Sequence, residues 1–244
     1  MFAFRLEETM LLDINYMIEV IPVIVMQGAP VALKIGIVAF IIGLLIGLFA
    51  ALMRIYKIPV LKQLSDLYIS FFRGTPLMVQ IMIFYYGIPI FLRFFNAKYG
   101  TSIDVGGISA LTFMYFTYSL NVGSYLSEAI RAAILSVGYG QTEAGYSLGM
   151  STPQVLRRIV IPQALTVAVP NFGNTFIGLL KDTSLAFVAS VPEILGRAKI
   201  IAGRSNMFFE CYLVAALVYW VLCIILAQTL KYFEKKVRHY ERRS

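Results

Sequence analysis

Within one apolar stretch of this sequence, Tyr118, Asn121, Tyr125 and Glu128 recur three and four residues apart, with Ser124 beside them. On a helix they share one face. A second apolar stretch repeats the device with Asn171, Asn174, Thr175 and Gly178. Pro170, just before them, lacks a backbone donor and frees a carbonyl. A charge in hydrocarbon costs about 2.5–3.5 kcal/mol on insertion scales, so polar groups in such runs ask for a reason. Two stripes facing each other would make a wet path for a zwitterion. The competing use is interhelical hydrogen bonding, and for Glu128 an ion pair with Arg131 three residues on. Lys181 and Asp182, where the second stretch ends, fit snorkelling or a surface pair equally well.

These residues must be held by helices that live in lipid. The 244 residues are 59% hydrophobic and 14% charged, against about 25% charged in water-soluble domains. Several apolar runs reach the roughly 20 residues that cross about 30 Å of hydrocarbon, where each must satisfy its own backbone as a helix. The sequence predicts an all-α integral membrane protein, read as one domain over 1–244. Its elements are an amino-terminal interfacial helix, interrupted by Pro22, Gln27, Gly28 and Pro30, and about five transmembrane helices near 31–53, 76–93, 106–135, 155–180 and 209–233. An amphipathic surface helix falls at 60–72, with Leu61, Leu64, Leu67, Tyr68 and Phe71 on its apolar side. Gly36, Gly43 and Gly47 are close-packing positions.

An odd number of spans puts the termini on opposite sides. Arg54, Lys57, Lys62, Arg73, Arg131, Arg157, Arg158 and six residues of the carboxyl-terminal tail gather on one side, thirteen of the 21 Lys and Arg. By the positive-inside rule that side is cytoplasmic, with the amino terminus outside. The net charge of +8 therefore reads as an anchor at an anionic leaflet, not as a nucleic-acid surface. Glu7, Glu8 and Asp13 argue against a cleavable signal peptide. Cys211 and Cys223 lie about 18 Å apart along one helix and cannot pair. The single histidine, His239, is in the basic tail, so no zinc or intramembrane catalytic cluster is expected.

The segment 139–152, with Gln141 to Gly149 the least hydrophobic part of the middle of the chain, predicts a short exposed helix on the cytoplasmic side. It is a natural handle for a soluble partner. Its residues Glu143-Ala144, Gly149 and Ile159-x-Ile161-Pro162 resemble the pattern E-A-A, three residues, G, nine residues, I-x-L-P of the membrane subunits of binding-protein-dependent ABC importers. Gly145 replaces the second alanine and Ile161 the leucine. The glycine costs about 1 kcal/mol in a helix, so this one is expected to need its partner for full order. Phe72-Arg73-Gly74-Thr75-Pro76-Leu77-Met78-Val79-Gln80, Tyr125-x-x-Glu128-x-x-Arg131 and Lys181-Asp182-Thr183-Ser184-Leu185 are similar to segments of the polar amino-acid permeases, the histidine, glutamine and arginine type.

The resemblance implies a translocation-pathway subunit that pairs with a second permease chain, identical or related. It also implies two copies of a separate ATPase and an extracytoplasmic amino-acid-binding protein. The chain carries no G-x-x-x-x-G-K-[ST] phosphate loop, so ATP and Mg are expected on the partner, with no cofactor and no enzymatic role here. Glu143, Ala144 and Gly149 are the expected coupling residues, flanked by Arg157 and Arg158. Tyr118, Asn121, Ser124, Tyr125, Glu128, Asn171, Asn174 and Thr175 are the expected substrate contacts, Glu128 meeting the ammonium and the asparagines at 171 and 174 the carboxylate. No cation interrupts either stripe, which favours a basic amino acid, with glutamine second. A passive or ion-coupled carrier is the alternative.

Overall fold

A computed structural model describes residues 12–241, with side chains described through 236. The acidic amino-terminal residues Glu7 and Glu8, and His239 with the end of the basic tail, lie outside the described residues or side chains. Among the described residues every regular element is helical. They are α1 (Ile14–Val23), a π-helical turn (Ile24–Gly28), α2 (Ala29–Ile55), α3 (Leu61–Gly74), α4 (Leu77–Tyr99), α5 (Ala110–Leu135), α6 (Tyr139–Ser147), α7 (Thr152–Val155), a second π turn (Leu156–Val160), α8 (Ile161–Asp182), a 3-10 segment (Thr183–Ala189), α9 (Ile194–Ser205) and α10 (Phe208–Glu241).

The first apolar stretch departs from expectation. Instead of breaking between an interfacial helix and a span, the backbone stays helical for 42 residues from Ile14 to Ile55. Pro30 lacks a donor in mid-helix, and the wider ring of the preceding π turn, Ile24–Gly28, accommodates it. Gly28 is required there by contact: a Cβ would lie 2.8 Å from the Cα of Ile194. At 1.5 Å per residue this helix is about 63 Å long, roughly twice what hydrocarbon needs. Val20 and Ile24 bury themselves against Ile194, Ala198, Cys211 and Val214 of α9 and α10.

Among the described residues, three helices are long and apolar enough to cross a membrane: Ile14–Ile55, Leu77–Tyr99 and Phe208–Lys236. The helices α5 and α8 have the length, 26 and 22 residues, but not the hydropathy. Their polar stripes are the cause. α5 sits at the centre, walled by α2, α3, α4 and α8. Against α2 the approach is backbone to backbone, since a Cβ on Gly47 would meet the Gly123 carbonyl at 2.8 Å and the Ser127 amide at 2.9 Å. Small residues permit the dispersion contact that drives helix association in lipid. Gly36 only touches Phe176, at 3.7 Å from its Cβ position, an ordinary contact.

The amphipathic α3 buries Ser65, Ile69 and Phe72 and leaves Leu64, Leu67 and Phe71 exposed. It ends where Pro76 ends it, because Pro76 has no N–H for the Phe72 carbonyl. The helix α9 is absent from the sequence-level reading. Its start is set by Glu193, fully buried, whose carboxylate accepts from the amides of Leu195 (3.0 Å) and Gly196 (2.8 Å) and from the Tyr219 hydroxyl.

Candidate translocation site and coupling surface

The break between α3 and α4 faces the middle of α5 and the end of α8. Between them lies a cavity of about 400 Å³ lined by Thr75, Pro76, Leu77, Asn121, Val122, Tyr125, Thr175, Gly178, Leu179 and Asp182. That is the size of a small-molecule pocket. Its polar groups come from three helices. Asn121 donates its amide to the Gln80 Oε1 at 2.9 Å, and Gln80, fully buried, donates in turn to the carbonyls of Phe72 (2.9 Å) and Thr75 (3.0 Å). Thr175 donates to Asn171 O at 2.8 Å. Pro76 and Leu77 of the lining begin α4, and the amides of Leu77 and Met78 stand in its first turn, where no intrahelical acceptor exists.

Of the expected substrate contacts, Asn121, Tyr125 and Thr175 share this cavity. Others are elsewhere. Tyr118 is fully buried behind the wall and donates to the Asp182 carbonyl at 2.8 Å, which holds the end of α8. Ser124 is fully buried and bonded to the Asn121 carbonyl at 2.6 Å. Asn171 and Asn174 are exposed outside the cavity, and the Asn171 amide is used on Val167 O at 2.9 Å.

For Glu128 the ion-pair alternative is the one seen here, and arginines contact both its oxygens. Oε1 receives Arg54 Nη1 at 2.5 Å, with Arg73 Nη1 at 3.8 Å, and Oε2 receives Arg131 Nε at 3.2 Å. Arg54 continues to Asp66 at 2.7 Å, which also pairs with Lys62 at 3.0 Å. The hydrogen bond from Lys62, then the nearby Arg54, hold the Asp66 carboxyl below its ordinary range. The i, i+3 pair with Arg131 is legible in sequence; the reach of Arg54 across 74 residues is not. The cluster ties α2, α3 and α5 together. Arg73 also lies over the ring of Tyr125, a residue of the cavity lining, 5.5 Å from its centroid.

The polar lining residues Thr75 and Asp182, and Gln80 behind the lining, were not among the expected contacts. All stand in motifs singled out in the sequence. The available signals were Pro76, which must orphan a carbonyl, and a carboxylate at the end of an otherwise apolar helix.

The coupling segment is a helix, α6, with Glu143 and Ala144 exposed, as are Arg157 and Arg158 in the second π turn. Gly149 has φ +76, a left-handed conformation that costs other residues about 1 kcal/mol or more. The amide of Gly149 bonds Tyr146 O (2.9 Å) and that of Met150 bonds Gly145 O (3.1 Å), the paired bonds of a Schellman cap. This glycine therefore has a reason within its own chain. Gly145 has one too. Buried, it lets α6 lie against the next helix, since a Cβ there would be 2.8 Å from Ile159 Cδ1 and 3.0 Å from Val155 Cγ2. The substitution that departs from the family pattern supplies a packing contact, so order in α6 does not rest on the partner alone.

This chain belongs to the family of binding-protein-dependent transport system inner membrane components, whose pattern it matches over residues 43–239. It is 44% identical over 224 residues to the probable amino-acid permease protein YxeN of Bacillus subtilis, covering 92% of this chain and 95% of that one. It is 40% identical over 231 residues to the L-cystine transport system permease protein TcyL of the same organism, covering 95% and 94%. Among solved structures, an amino acid ABC transporter with histidines superposes with a TM-score of 0.79 at 33% identity, covering 93% of this chain and 100% of that one. The resemblance to ABC-importer permeases and the all-helical membrane fold are both borne out.

Proposed function

We propose that this chain forms the translocation pathway of an ATP-driven amino-acid importer, and that its substrate is an α-amino acid with a basic or neutral polar side chain. The observation that carries the reading is the cavity, whose lining includes both an acidic residue and the start of a helix, the two features a zwitterion needs. The Asp182 carboxylate and the Asn121 carboxamide line one part, suited to an ammonium. The first turn of α4 at Leu77 and Met78 offers uncommitted amides and the positive end of a 23-residue helix to a carboxylate. Asp182 thus takes the role first assigned to Glu128, and the α4 terminus that of Asn171 and Asn174. The relatives, an amino-acid permease and an L-cystine permease, support the substrate class.

Transport in this reading needs partners. Two copies of an ATPase dock at α6 through Glu143 and Ala144, with Arg157 and Arg158 at the rim, and hydrolyse ATP with Mg. A second permease chain, identical or related, completes the membrane unit, and an extracytoplasmic binding protein delivers substrate. Five spans, α2, α4, α5, α8 and α10, cross the bacterial cytoplasmic membrane with the amino terminus outside and the carboxyl terminus in the cytoplasm. The test is reconstitution with a candidate ATPase and binding protein. ATP-dependent uptake of labelled arginine, lysine, histidine, glutamine, cystine and glutamate should favour the basic or neutral polar members. Preference for glutamate would refute the charge argument at Asp182, and uptake without ATPase would refute the importer reading.

A further inference from the structure

We infer that Gln80, which touches no part of the cavity, is a positioning residue that fixes Asn121 as a hydrogen-bond acceptor toward the substrate. This rests on the reading of the cavity as an amino-acid site. The chain of reasoning begins at Pro76. A helix continuing through it would use the residue-76 amide to satisfy Phe72 O, and proline has none. The end of the Gln80 side chain sits 2.9 Å from that orphaned carbonyl, 3.0 Å from Thr75 O and 2.8 Å from Thr75 Oγ1. Two of these three are backbone carbonyls, which only accept. The third has committed its proton to Phe71 O at 2.8 Å. This end of Gln80 is therefore its NH₂ group, and the assignment follows from its neighbours alone.

The opposite end is then Oε1, which also only accepts. The Asn121 atom 2.9 Å from it must be Nδ2. Asn121 is thereby left with Oδ1 as its unbonded end: no donor among the described residues bonds it, and the residue lines the cavity together with Asp182. An asparagine free to rotate its amide would serve a donor or an acceptor equally. This one cannot turn without setting its carboxamide oxygen against the Gln80 oxygen. An unpaired buried polar group costs the full desolvation of that group, so the lock is firm. The lining thus holds two acceptors, Asn121 Oδ1 and Asp182, and selects a group rich in N–H, the substrate ammonium, over a deaminated analogue.

The test compares ligands differing only at that group. Affinities of the full chain in lipid nanodiscs are measured for L-arginine against 5-guanidinopentanoate and for L-glutamine against 4-carbamoylbutanoate, using the pair whose amino acid binds more tightly. Wild type should prefer the amino acid at least about tenfold, the worth of one good charge-assisted contact. In Gln80→Met, similar in volume but unable to hold Asn121, the preference should fall by about five- to tenfold. A purely structural role would weaken both ligands alike, leaving the ratio intact, and that result overturns the inference. Gln80→Glu still offers Asn121 an acceptor in either protonation state, so it should keep the ratio even if it melts lower. A folded Gln80→Glu without the preference overturns the inference too, and this holds even if Gln80→Met does not fold. If wild type itself shows no preference, the amino-acid reading of the cavity fails, and the role of Gln80 with it.

Discussion

Two carboxylates can be separated by mutation, because Glu128 is paired with arginines whereas the proposed function gives Asp182 a binding task. Glu128→Gln removes a charge that Arg54 and Arg131 contact at 2.5 and 3.2 Å. Breaking a fully buried pair by deleting one partner costs about 3–5 kcal/mol. The side chains here are 24% exposed for Glu128, 19% for Arg54 and 37% for Arg131, so water screens part of the interaction. Arg54 also retains Asp66 at 2.7 Å. About 1–3 kcal/mol is the expected loss, read as a lower midpoint in thermal or detergent unfolding of the purified protein. Amino-acid affinity should stay within about threefold of wild type, because Glu128 lies outside the cavity. Asp182→Asn should behave in the opposite way. Its carboxylate makes none of the ion pairs found among the described residues, so the midpoint should hardly move, while affinity should fall at least about tenfold, or roughly 1.4 kcal/mol. Both are measured by titrating the same nanodisc preparations with L-arginine or L-glutamine. A Glu128→Gln protein of undiminished stability that no longer binds substrate, or an Asp182→Asn protein that binds as wild type, would refute the assignment.

Other expectations follow from the coupling surface and the charge distribution. Glu143→Lys should abolish ATP-driven uptake and substrate stimulation of the partner ATPase while insertion and amino-acid affinity persist; unchanged uptake would make α6 a mere connector. Gly149→Ala should cost about 1 kcal/mol locally, through φ +76, and lower uptake less than Glu143→Lys does. A larger effect from the alanine would mean that Gly149 touches the ATPase directly. A cysteine at Asn96 should react with an impermeant thiol reagent in intact cells and one at Tyr139 should not, and the reverse pattern would invert the topology. Asp66 has its folded-state carboxyl held down by Lys62 and Arg54, so it favours the folded state above its unfolded-state pKa. That contribution is lost as pH falls through the lower, folded value. Asp66→Asn should flatten the acid limb of unfolding curves recorded below about pH 4, and an unchanged limb would count against it.

What the sequence alone determined is what periodicity, hydropathy and local chemistry carry. Polar residues at helical spacing put Asn121 and Tyr125 on one face of α5, and the segment at 139–152 is legible as an exposed helix because its neighbours are apolar and it is not. The glycines at 43 and 47 read as close-packing positions because lipid offers helices little other reason to touch. Pro76 marks a break that any proline must make. Tertiary structure decided which polar groups meet. Asp182 and Asn121 are 61 residues apart and line one cavity, whereas Glu128, on the same stripe as Asn121, turns away to Arg54, 74 residues distant. Spacing fixes the side of a helix but not its neighbour, and a carboxylate goes where the strongest unpaired cation is. The same holds for Gln80 and for the continuity of the 42-residue first helix. A buried amide takes its orientation from acceptors brought to it by other helices, and a proline breaks a helix only where nothing else, here a π turn pressed against α9, restores the backbone.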